Sequence, residues 1–76
     1  MSIEIAGIPK NTSKDKIEEL FNSLDGELVH MTQQGVAIVK FTSTNKAVDA
    51  IPKINNLSMQ TIGSKLEVIP ILSSEN

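Results

Sequence analysis

The chain has 76 residues, room for one domain around one modest core, and its 39% hydrophobic share lets that core form without metals or disulfides. It contains no cysteine, which excludes a disulfide framework, a thiol nucleophile and every cysteine-based zinc site. Seven basic residues, all lysine, face nine acidic ones for a formal net charge of −2; the basic stripe and the forked guanidinium of a dedicated nucleic-acid binder are both missing.

The first element lies at residues 3–8, where isoleucine-rich alternation predicts a half-buried strand that Pro9 stops. Lys10 and Asn11 then form a short loop. Thr12, followed three residues later by Asp15, predicts a helix N-cap with an acidic first turn. Ile17, Leu20, Phe21 and Leu24 recur at helical spacing, and Gly26 is placed to close the helix. Residues 27–33 and 35–41 read as two further strands, joined through the Gln34–Gly35 pair into a hairpin.

Ser43 or Thr44 is placed to cap a second helix with Ala47, Val48, Ile51 and Ile54 as its apolar positions. Pro52 lacks an N–H and crowds the preceding turn, which predicts an end or kink near Ala50–Ile51. Residues 55–64 then read as a connection and 65–71 as the last strand, where Pro70 requires a sheet edge. Residues 73–76 read as a disordered tail, so that residues 1–72 make a single domain.

This order is β-α-β-β-α-β. Right-handed crossovers convert it into a ferredoxin-like α+β sandwich, a four-stranded antiparallel sheet of order 4-1-3-2 with both helices on one face. The order puts the last strand on an edge, as Pro70 demands.

Several local strings resemble the RNA recognition motif, the RRM. Residues Ile3 to Pro9 occupy the place of its hexamer, and residues Gln34 to Phe41 the place of its octamer. Leu20-Phe21…Leu24-Asp25-Gly26 is similar to the end of the family's first helix. Ala47…Ala50-Ile51…Ile54-Asn55 is similar to its second, and Gly63 to Val68 to its closing strand. The resemblance implies a non-catalytic module of an RNA-associated protein, in which bases stack on aromatic side chains at three platform positions. Those positions hold Glu4, Val36 and Ile38, and the basic residue that opens the octamer is Gln34. Phe41 matches the last octamer position, which points into the core, as Phe21 does from the first helix. The chain is therefore expected to be a divergent member whose contact with RNA is weak.

Alternation assigns Ile5, Ala37, Val39, Phe41, Leu66 and Val68 to the core side. Glu4, Ala6, Val36, Ile38, Lys40, Glu67 and Ile69, with His30 and Thr32 beside them, fall on the open side. An aliphatic strip of Val36, Ile38 and Ile69, rimmed by Glu4, Glu67 and Lys40, can serve as a solvated surface or as a docking face for a protein partner or neighbouring domain. Lys10, Lys40 and Lys65 are the candidate phosphate contacts, with Lys53 a further lysine near a loop. His30 stands alone, so no metal site is expected, and Met31 and Met59 read as core or loop fillers. Glu18 and Glu19 read as a solvated helix face.

Enzyme chemistry finds no support. There is no arginine to hold a transferred phosphate, no glycine-rich phosphate loop and no paired carboxylates in a recognisable cleft. The expectation is a module with no cofactor and no small-molecule substrate, binding weak single-stranded RNA or a protein partner. With no apolar run near membrane-span length and no signal peptide, it reads as intracellular, in nucleus or cytoplasm.

Overall fold

The computed structural model describes residues 1–71. The expected tail, and Leu72 before it, lie outside the described residues. The elements follow in the expected order: β1 (Ser2–Ala6), α1 (Lys14–Asn22), β2 (Gly26–Met31), β3 (Ala37–Phe41), α2 (Thr44–Thr61) and β4 (Glu67–Ile71). All pairings are antiparallel in the order β2-β3-β1-β4, the ferredoxin-like arrangement read from the other edge. β4 is an edge strand, so the N–H that Pro70 lacks interrupts no inner ladder.

Ile17, Leu20 and Phe21 of α1 and Ala47, Ala50 and Ile54 of α2 meet Ile3, Ile5, Ala37, Val39 and Phe41 of the sheet in one cluster. Both phenylalanines are inside it, Phe21 fully buried and Phe41 1% exposed. The two helices thus cover one face and leave the other open.

Local chemistry differs from the sequence reading at α1. Its cap is Ser13, whose backbone is extended and whose Oγ accepts the Lys16 N–H at 3.2 Å. Thr12 is instead part of a turn, its N–H donating to the Pro9 carbonyl at 3.0 Å. The helix closes at Ser23, and the left-handed residue beyond it is Asp25 (φ 66), not Gly26. Gly26 opens β2 and is buried. A Cβ there would come within 2.8 Å of Val39 Cγ1 and 2.9 Å of Phe41 Cε1, so packing, not turn geometry, requires glycine.

The larger correction concerns α2. It starts at the Ser43 cap, whose Oγ accepts the Lys46 N–H, but passes through Pro52 and ends only at Thr61. Pro52 and Val48, the residue whose carbonyl it leaves without a helical donor, both lie on the exposed side, where water can satisfy that carbonyl. Packing on both sides of the proline outweighs the lost bond. Val48, expected inward, is 55% exposed, and Met59 is on the helix surface rather than a filler.

Residues expected in a connection therefore carry the helix's anchor to β4. The Leu66 N–H donates to Asn55 Oδ1 at 2.7 Å, and the fully buried Ser58 hydroxyl donates to the Ser64 carbonyl at 2.7 Å. Asn55→Ala would leave the Leu66 donor without its partner, at a cost of about 1–3 kcal/mol. A urea midpoint lowered at unchanged slope is the expected reading.

The strands are also shorter at their loop ends than the alternation predicts, β1 ending at Ala6 although Ile8 remains in the core. The hairpin connection has three residues, not two. The Thr32 carbonyl accepts the Gly35 N–H at 3.3 Å, the Thr32 N–H donates to the Val36 carbonyl at 2.8 Å, and Gly35 takes the left-handed conformation such a loop needs (φ 81). In β2 the ladder steps from Leu28↔Val39 to His30↔Ile38, which makes Val29 the extra residue of a bulge.

Candidate functional site on the open sheet face

The alternation of β1 buries Ile3 and Ile5 and turns Ser2, Glu4 and Ala6 to the other side, where each is partly exposed. The register then sorts the open face into rows across the strands. Glu4 is opposite Ile38 of β3 and Ile69 of β4, and Ile38 is in turn opposite His30 of β2. A single row therefore reads His30, Ile38, Glu4, Ile69. The row at one end holds Glu27, Lys40, Ser2 and Ile71, and at the other end Ala6 is opposite Glu67.

The register thus brings together every residue of the candidate face but Val36, which lies just before β3 and outside the paired rows. Ile38 and Val36 are partly buried, Ile69 is 39% exposed, and His30, Lys40 and Glu67 are exposed. The bulge adds a residue that alternation does not reveal. Leu28 and Met31 pack against the core, while Val29 and His30 between them are both exposed, Val29 at 57%. An inserted residue breaks the two-residue period, and no sequence signal at Val29 announces it.

The electrostatics of the row are simple. Glu4 carries a carboxylate between two isoleucines, and among the described residues the one ion pair is elsewhere, Lys46 with Asp25 at 3.5 Å. Lys40, two residues along β3 from Ile38, is opposite Glu27. No aromatic ring other than the His30 imidazole reaches this face, because both phenylalanines are core. Glu4, Val36 and Ile38 therefore offer a carboxylate and two aliphatic chains, none of which stacks on a base.

The candidate phosphate contacts separate into two groups. Lys10 and Lys14 line a cleft of about 760 Å³ between the β1–α1 and β2–β3 loops, together with Thr12, Gln33 and Gln34. The Ile8 N–H donates to the Gly35 carbonyl at 3.1 Å and ties those two loops together. Lys65, two residues before β4, is at the same end of the sheet, since β4 begins opposite Ala6, the last residue of β1. Lys40 is at the far end beside Ser2 and does not join them.

Among the described residues no group of three or more His, Cys, Asp or Glu side chains is placed to hold a metal ion, and no helix is long and apolar enough to cross a membrane.

No family model matches the chain, and no curated protein matches it in sequence. In three dimensions it is similar to the RRM domain of S. pombe Puf1, known from a crystal structure, at 22% identity and a TM-score of 0.73 over 97% of this chain and 100% of that one. The likeness establishes the RRM-type fold that the octamer and closing-strand strings imply.

Proposed function

We propose that the chain is a non-catalytic binding module of an RNA-associated protein. It touches single-stranded RNA weakly, through the loop-end cleft of Lys10 and Lys14 with Lys65 near it. One observation carries this reading: the centre of the sheet, where an RRM of the usual kind stacks its bases, holds Glu4 between Ile38 and Ile69. Stacking contributes about 1–3 kcal/mol per base, and its loss leaves a few lysine–phosphate contacts that salt readily screens. A second reading is favoured by the same row. Aliphatic side chains on both flanks of a small central strip, Glu4 and Ala6, make a face suited to a protein partner or a neighbouring domain.

Fluorescence anisotropy with short single strands tests the first reading. Binding is expected at about 10⁻⁴ M or weaker, fading further between about 50 and 200 mM salt. A sequence-specific affinity of micromolar or better would overturn it. The double variant Glu4→Phe/Ile38→Phe restores rings at two platform positions, and each ring is expected to tighten binding about 5- to 150-fold, the equivalent of the stacking energy.

A further inference from the structure

We infer that the open sheet face receives a basic amphipathic helix lying across the strands, with a lysine or arginine set against Glu4 and an apolar side chain on each flank. This rests on the reading of that face as a protein-docking surface and names the partner's chemistry.

The direction comes from the register. Along β3 the outward side chains are Ile38 and Lys40, with Val36 just before the strand, and along β4 they run Glu67, Ile69, Ile71, so the two strands match in aliphatic character at the middle row. That row crosses the sheet. Strands about 4.8 Å apart put Ile38 and Ile69 about 10 Å from each other, with Glu4 midway. On a helix, residues i and i+7 lie about 10.5 Å apart along one face, and i+3 or i+4 falls between them. An extended segment has no such match. Its same-face side chains recur about every 6.7 Å, and residues three apart, at about 10 Å, face opposite sides. Continuing past Ile38, the next helical turn reaches Val29 and His30 on β2, where the bulge leaves an exposed valine.

The charge comes from Glu4. It is already partly buried and has no cation within ion-pair distance among the described residues. An apolar partner alone would bury an unpaired carboxylate, and a phosphate would be repelled by it. A cation at i+3 or i+4 meets it. Glu67 and Glu27 on the same face outnumber Lys40, which favours a basic helix further.

The probe is an alanine-based helical peptide of about 16 residues with leucine at i and i+7 and lysine at i+3 and i+4, titrated into the ¹⁵N-labelled chain. Shifts are expected to cluster on Glu4, Ile38 and Ile69. Replacing the peptide's lysines by glutamate is expected to weaken binding about tenfold or more, and Glu4→Lys in the protein to invert that preference. Glu4→Gln, which keeps the side chain's shape, is expected to remove most of it, leaving only the small share that Glu27 and Glu67 supply. If the lysine and glutamate peptides bind the sheet equally, or a proline-broken extended peptide binds it as tightly as the helix, the basic-helix inference is overturned while docking on the sheet stands. If no peptide moves sheet resonances, both fall. A single-stranded RNA that shifts this row in place of the peptides overturns both in favour of nucleic acid.

Discussion

Phe21→Ala is expected to lower the unfolding free energy by about 3–5 kcal/mol. Phe21 is fully buried between the helices and the sheet, among Ile17, Leu20, Ile54 and Phe41 in one cluster. Truncation removes the transfer free energy of a ring and leaves a cavity that a well-packed core closes only in part. A domain of this size is stabilised by about 4–11 kcal/mol in total, so the variant should show a large fall in urea midpoint and melting temperature. The result bears on function as well as on folding. A phenylalanine on the open face would be cheap to truncate and would supply a stacking ring; one that costs several kcal/mol is committed to the core. A loss below about 1 kcal/mol, the range of exposed positions, would mean that the ring is not where the fold places it.

Gly35→Ala is expected to cost at least about 2 kcal/mol, from three sources. The residue has φ 81, a left-handed conformation that costs an alanine about 1–2 kcal/mol. Its Cβ would collide with the Ile8 carbonyl oxygen, which is backbone and cannot swing away. Moving either strand end lengthens the 3.1 Å bond from the Ile8 N–H to the Gly35 carbonyl, a contribution of about 1 kcal/mol. Because that bond joins the β1–α1 and β2–β3 loops, the substitution should also open the cleft that holds Lys10 and Lys14 and weaken the proposed phosphate contact. Denaturation and an RNA titration on the same variant read both effects. Unchanged stability would show that the two loops are not locked together.

How far the sequence carried this picture depended on which physical rule governed each residue. Two-residue alternation placed Glu4, Ile38 and Ile69 on one face, and antiparallel pairing then aligned them in one row, because side-chain direction in a strand follows directly from residue number. Where tertiary packing overrides a local rule, the structure departs from the pattern of the sequence. Pro52 is a helix breaker by its own chemistry, yet Ala47, Ala50, Ile54 and Ser58 form a buried stripe that continues beyond it. Ser58 was the available signal, one helical step past Ile54, hidden by its being polar. Gly26 has the sequence position of a helix terminator because glycine serves both turns and close packing, but Asp25 takes the left-handed role instead. The Val29 bulge followed from no local pattern at all. Grouping Lys10 and Lys65 apart from Lys40 needed the sheet order and register, since nothing in their spacing along the chain says which end of a strand each occupies.

Weak RNA contact confined to the loop end of the sheet is tested most directly by amide chemical-shift mapping with a short single-stranded RNA at fixed salt. Small, non-saturating shifts confined to Lys10, Lys14, residues 33–35 and Lys65 are expected, with Glu4, Ile38 and Ile69 unmoved. Saturating shifts centred on those last three residues, at micromolar affinity, would contradict it and make the sheet an RNA platform despite its carboxylate and its missing rings.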